Sequence, residues 1–484
     1  MSATDDEPAQ SRQDDHDLVV ANGTVVSPDQ GRFRADVAAD DGRISRIASP
    51  DTLDGETVVD ASGKYVLPGV VDPHVHHGLF RPLAAEADTE SRSGLVGGVT
   101  TTGNIFRRGE PYSEIMDGYM TTAAGNYRHD YFFTLGLLYD EHVAEIPDIV
   151  SELGITSFKW YGNYKLQAAD RFDLERNLLD DIADRFVQRL AGLEVPTTLA
   201  YHAENAEITE RRTRELKEAG ADGYDAIVEK FPGYAEAQAA VAGANLARQH
   251  GYDDEFYVVH VSSRKTAADL AALQSLGYGV TAETCTHYLT LTAEECDQRM
   301  RINPPVRSQA DQDALWTHLR EGTIDCVGTD HIANTREEKL GEDIWDGLWG
   351  SPSSATMLPL VLSEGVNEGR ISLERAAAVT STNNAKAYDL YPKKGAVRVG
   401  SDADLVVVDL EETKTVTPEL LQSGADYTMY DGREVTGWPT QTVVRGRLAY
   451  DRGDVLAPPG YGCHVDRPMS VSDAGQPNQN HPNH

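Results

Sequence analysis

Lysine is scarce in this chain of 484 residues: 11 lysines stand against 32 arginines, and acidic residues outnumber the two together by 78 to 43. The net charge of −35 makes polyanions poor partners, which excludes nucleic acid and anionic membrane surfaces as targets. Cysteine is also rare. Cys285, Cys296, Cys326 and Cys463 form no Cys-x-x-Cys pair and no framework spacing, so free thiols in a reducing compartment are expected. No apolar run approaches the ~18 residues of a membrane span, and no signal peptide opens the chain, so a soluble cytoplasmic protein is expected. Charged residues are 25% and apolar residues 40%, the balance of a folded chain. A carboxylate-rich surface stays hydrated once salt has screened its self-repulsion, so a high-salt cytoplasm is the expected setting.

The length allows one domain of about 250 to 350 residues with a smaller one beside it. Residues 1–17 read as a disordered acidic tail. Over residues 18–65, short β-type runs alternate with turn signals, among them Asn22–Gly23 and Asp41–Gly42, both hairpin signatures. From residue 66 the texture becomes strand then helix, repeated. Eight apolar strands can be placed: 65–76, 99–106, 131–138, 155–161, 197–204, 256–263, 279–285 and 324–330. Eight strands alternating with helices predict an α/β fold, a (β/α)8 TIM-type barrel over residues 66–392. β texture returns over residues 393–456. This segment and the N-terminal one are expected to build a single small β-sandwich domain, with the barrel inserted between them. Residues 457–484 read as an extension and disordered tail.

The stretch VLPGVVDPHVH, residues 66–76, organises the rest. Alternate residues of a strand share a face, so Asp72, His74 and His76 point one way, the two imidazoles about 7 Å apart and able to reach one cation. Other predicted strands end in polar residues too: Lys159 on the fourth, His202 on the fifth, His260 on the sixth and Asp330 on the eighth. Barrels of this type carry active sites at the carboxyl ends of their strands, so His74, His76, Lys159, His202, His260 and Asp330 converge on one candidate metal site. Neutral imidazoles and a carboxylate suit zinc or a similar divalent ion. An ammonium beside a dication is repelled, but carbon dioxide added to the neutral amine of Lys159 gives a carbamate. Its two oxygens can bridge two metals roughly 3.5–4 Å apart.

PGVVDPHVH, the lysine of SFKWYGNY, HAEN, VHVSS and VGTDH resemble the metal motifs of the amidohydrolase superfamily. TSTNNAKAYDLYPKKGAVRVGSDADLVVVD, DYTMYDGREVTGWPTQTVVRGR and PGYGCHVDR are similar to its cyclic amidohydrolases of the D-hydantoinase and dihydropyrimidinase type, relatives of dihydroorotase and allantoinase. The resemblance spans about residues 18–467. It implies two zinc ions per subunit, or manganese or cobalt in their place. His74, His76 and Asp330 would hold the more buried ion, His202 and His260 the second, and N6-carboxylated Lys159 would bridge them. It further implies a metal-bridging hydroxide that attacks the ring carbonyl of a hydantoin or dihydropyrimidine. Tyr164 would stabilise the oxyanion, and Asp330 would pass the proton to the leaving nitrogen. The resemblance also implies a homotetramer, with the segment around residues 459–468 crossing to a neighbour.

Three positions depart from that pattern. Asn303 precedes Pro304–Pro305 where hydantoinases carry serine, Asp346 replaces an asparagine, and Gly78 stands where dihydroorotases place a carboxylate-binding arginine. Asn303 and Asp346 are expected to contact the ring amide largely through backbone groups. A free carboxylate on the substrate would need another cation, for which His77 and Arg81 are the candidates. Leu79, Phe80, Trp160 and Tyr161 are expected to wall the exocyclic pocket. Dihydroorotase or allantoinase chemistry is the alternative within the family; a non-catalytic assembly protein is the alternative outside catalysis, and a phosphoesterase would need phosphate-binding cations.

Overall fold

The computed structural model describes residues 15–163 and 180–467. Short valine-rich runs build the first strands: β1 (Asp15–Ser27), β2 (Gly31–Asp40), β3 (Arg43–Ala48), β4 (Asp54–Asp60) and β5 (Tyr65–Pro68). Asp41 and Gly42 both have positive φ and turn β2 into β3, as expected. Asn22–Gly23 behaves differently. It lies inside β1 as a bulge, with Asn22 at φ 63°, and the register against β2 shifts there. A Cβ at Gly23 would overlap Val66 of β5, so the glycine serves a close approach of strands rather than a hairpin.

The barrel strands follow as β6 (Val70–Val75), β7 (Val99–Phe106), β8 (Asp130–Gly136), β9 (Ser157–Tyr161), β10 (Thr198–His202), β11 (Glu255–Val258), β12 (Thr281–Cys285) and β13 (Cys326–Gly328). They pair in that order, all parallel. The barrel closes through a bridge between Val75 and His331, where His76 N donates to His331 O at 2.9 Å. β6 to β8 are buried along their whole length, the mark of a parallel sheet covered on both faces.

The run expected as one first strand divides at Gly69 between two sheets. β5 pairs in parallel with β1 and antiparallel with β14 (Leu405–Thr415), whereas β6 opens the barrel. Gly69 N donates to Asp404 O at 2.8 Å, and a Cβ there would overlap the Thr100 side chain, so the step is packed from both sides. Through the β5–β14 pair the C-terminal β15 (Glu434–Val444), β16 (Arg447–Asp451) and β17 (Asp454–Val455) join the N-terminal strands in one nine-stranded sheet, consistent with a β-sandwich. The extension up to Arg467 packs on its own barrel: Tyr131 N donates to Cys463 O at 3.0 Å, and Arg467 pairs with Asp389 at 2.9 Å. No helix among the described residues is long and apolar enough to cross a membrane.

Candidate active site

Five of the barrel strands deliver polar side chains to one rim. His74 lies within β6 and His76 one residue beyond it; Lys159 is the middle residue of β9, and His202 ends β10. Regular pairing stops earlier than the sequence predicts on several strands, among them those that lead to His260 and Asp330. β11 ends at Val258 and β13 at Gly328, so His260 and Asp330 stand two residues past their strands, with φ of 41° and 48°. Left-handed backbone at a histidine is strained, and two such residues at one rim point to a site that the surrounding fold holds in place.

His74 Nε2 and His76 Nε2 lie 3.3 and 3.1 Å from Asp330 Oδ1. One ligand atom from each of these three residues falls within 4.8 Å of the others. Lys159 Nζ is 3.4 Å from His74 Nε2, and His202 Nδ1 is 2.7 Å from His260 Nε2. His74 and His260 stack at 5.4 Å between centroids, which joins the two halves of the group. The far nitrogens are tied: His74 Nδ1 to Glu283 Oε1 at 2.8 Å, His76 Nδ1 to the Ile105 carbonyl at 3.1 Å, and His202 Nε2 to Glu204 Oε2 at 2.9 Å. Such outer bonds fix the tautomer of a metal-binding histidine and leave the inward nitrogen for a cation.

Burial, aided by the Lys159 charge, holds His74, His202 and His260 well below the usual imidazole range. Burial also lowers His76, against the pull of Asp330. The rings are therefore neutral, the form that binds metal. Burial brings Lys159 down to about 8, against the charges of Glu283 and Asp330. At Asp330 burial acts upward but is outweighed by His74 and His76, which carry it down to about 2. Neutral imidazoles and one ionised carboxylate suit a divalent cation, and His74, His76 and Asp330 are placed to hold one.

A cavity opens over this group, lined by His76, His202, His260 and Asp330, by Arg107 and Asn303, and by Leu79, Phe80, Ile332 and Trp349. Asn303 is buried, and its Oδ1 has no hydrogen-bond partner among the described residues. Asp346 is exposed; its loop reaches the cavity through Trp349 and Gly350 instead. Tyr164 lies outside the described residues. His77 and Arg81 do not line the cavity. His77 Nδ1 bonds Tyr127 Oη at 2.9 Å, and Arg81 bonds Glu338 at 2.6 Å and the Gly424 carbonyl at 3.1 Å. Trp160 stacks on Tyr201 at 4.0 Å within the core. Asp72, on the same face as His74, is tied to Thr329 and Ser354 at 2.6 and 3.0 Å and stays out of the donor group.

Sequence reasoning passed over Glu283, Glu204 and Arg107. Glu283 had a signal: an acid at the centre of the buried strand GVTAETC demands partners. It has three, His74 Nδ1, the His260 amide at 3.0 Å and Tyr257 Oη at 2.9 Å.

The sequence profile of the Amidohydrolase family matches residues 234–449. A D-hydantoinase of Geobacillus stearothermophilus is 31% identical over 468 residues, covering 93% of this chain and 96% of the relative. The chain belongs to the amidohydrolase family. An L-hydantoinase of Paenarthrobacter aurescens is 32% identical over 473 residues, covering 93% of this amidohydrolase and 98% of the relative. The crystal structure of a dihydropyrimidinase from Brevibacillus agri superposes with a TM-score of 0.85 at 28% identity, covering 94% of this chain and 99% of that one. Within the family it is therefore a cyclic amidohydrolase of the hydantoinase type, and the barrel with its attached sheet is that type's architecture.

Proposed function

We propose that this hydrolase of cyclic amides opens the ring of a hydantoin or dihydropyrimidine at a binuclear metal centre. His74, His76 and Asp330 would hold one zinc ion and His202 and His260 a second, with manganese or cobalt as replacements. Lys159, carboxylated by carbon dioxide, would bridge them. The observation that carries this reading is the convergence of six buried or nearly buried donors from five strands, with the far nitrogens of His74, His76 and His202 tied back by Glu283, Ile105 and Glu204.

When bound, the two cations supply an acidified water and polarise the ring carbonyl. The residues of the chain do the rest. Asp330, ionised throughout the neutral range, accepts the proton of the attacking water and returns it to the ring nitrogen as the C–N bond breaks. The water oxygen remains on the carbonyl carbon, so the products are a carboxylate and a freed ureide or amide nitrogen. Asn303 Oδ1, buried without a partner, accepts a hydrogen bond from a ring N–H. Tyr164 donates to the carbonyl oxygen as it gains charge. Asp346, its side chain exposed to solvent, would contact the ring amide through backbone groups. A homotetramer working in a salt-rich cytoplasm completes the proposal.

The deciding experiment measures zinc per chain and assays zinc-replete protein on hydantoin, dihydrouracil, dihydroorotate and allantoin. Two ions per chain and ring opening of at least one of the four are expected. A folded protein that holds less than one ion, or that opens none of the rings, overturns the reading.

A further inference from the structure

Resting on that ring-opening reading, we propose that Trp349 limits the exocyclic group of the substrate to the size of a methyl. The enzyme would then open unsubstituted or methyl-bearing rings and reject aryl-substituted ones. Trp349 lines the cavity over His76, His202, His260 and Asp330, together with Ile332 and Gly350. The space enclosed there is about 40 Å³, little more than the ~30 Å³ share of one water in the liquid. A ring enters only if some wall yields, and an exocyclic group adds to that demand. The wall that does not yield sets the size of that group.

Trp349 is held through both its backbone and its side chain. Lys339 Nζ donates to the carbonyls of Leu348 and Gly350, the residues on either side of it. Gly350 N donates to Arg301 O at 3.2 Å, and Ile332 N donates to Ser351 O at 3.1 Å, which ties the chain after Trp349 to the rim. A Cβ at Gly350 would overlap Ile332, so this side of the cavity is already packed at close range. The Arg301 guanidinium lies 4.0 Å and the Lys230 ammonium 5.0 Å from the indole ring centre, and Phe231 meets the ring edge-on at 5.9 Å. Both cations are buried, so swinging the indole aside would strip each of an aromatic face in a place that water does not reach. Leu79 and Phe80, in contrast, stand half-buried on the turn after β6. Room for the ring comes from their side, and Trp349 stays. The substrate class is therefore a hydantoin or dihydropyrimidine with hydrogen or methyl at its exocyclic position.

The test assays zinc-replete full-length protein on hydantoin and 5-phenylhydantoin, which share the ring and differ only at the exocyclic position. The wild type should favour hydantoin by about 10- to 100-fold in kcat/KM, the factor expected when a bulky group is forced against a fixed wall. In Trp349→Ala that preference should shrink by about tenfold or more, through faster opening of the phenyl compound, and Trp349→Phe should fall between the two. Separately, calorimetry with the ring-opened products, N-carbamoylglycine and N-carbamoylphenylglycine, should show wild type binding the first about tenfold more tightly and Trp349→Ala narrowing that gap. A wild-type preference below about tenfold, or one that Trp349→Ala leaves untouched, overturns the proposal; if that variant does not fold, Trp349→Phe decides. Should neither hydantoin be opened while the product gap is present in wild type and narrows in the variant, the ring-opening reading fails and the wall stands; with no product gap, both fail.

Discussion

Glu283 joins both halves of the proposed metal-binding group, since one oxygen touches His74 Nδ1 and the His260 amide. Burial raises it to about 7, with Lys159 and the His260 amide pulling the other way. Glu283→Gln should therefore weaken zinc binding about 10- to 100-fold in chelator competition while the circular dichroism spectrum stays native. Unchanged zinc affinity would remove its positioning role. At Asp330 the conservative change to Asn should cut kcat by about 10³-fold or more in a folded protein, because an amide cannot take up the proton; near-normal turnover would refute the assignment. Glu86 offers a test outside the site. Burial, with Glu90 near, pushes its carboxyl up to about 8. An acid raised in the folded state contributes fully below its unfolded value near 4.5, and that contribution is lost as pH climbs through the folded one. Stability should thus decline by about 2 kcal/mol between pH 6 and 8, and Glu86→Gln should flatten that decline in denaturant titrations.

The loop from Lys339 to Gly350 behaves as an element although it contains no regular structure past its first turn. The buried Lys339 ammonium donates to the carbonyls of Arg301, Leu348 and Gly350, and so clamps both ends of the loop to the strand-end segment carrying Asn303. Gly350 needs its positive φ of 92°, and a side chain there would strike Ile332, another cavity residue. Lys339→Met would remove the donor to the Leu348 and Gly350 carbonyls and leave the Arg301 carbonyl only the Gly350 amide, at a cost of about 2 kcal/mol or more. Its Tm should fall and its KM rise several-fold, with new proteolytic nicks within the loop. A variant with native KM and native protease resistance would show that the clamp is dispensable. The strand ends make a related point. Alternation along each strand assigns residues to a face, but it does not reveal that β11 and β13 stop early and that His260 and Asp330 turn back with left-handed backbone.

The whole molecule carries a net charge of −35, with few lysines to offset it. Self-repulsion of that size destabilises the compact state until counterions screen it over about 10 Å or less. Raising potassium chloride from 0.1 to 2 M should therefore raise Tm by on the order of 10 °C. A Tm that ignores salt would count against a salt-rich habitat.

Local chemistry and periodicity carried the sequence a long way. Eight apolar runs separated by helical stretches specify a barrel because strands buried on both faces must be apolar throughout, and a histidine or lysine at such a strand's end is conspicuous. His74, His76, Lys159, His202, His260 and Asp330 were legible for that reason. What depends on which segments approach across the fold was not. The division of residues 65–76 between two sheets, the bulge at Asn22, the carboxylate of Glu283 behind two histidines and the entry of Arg107 into the cavity are all settled by neighbours distant in sequence. Spacing along a chain fixes the face on which a side chain lies; only packing decides what that face meets.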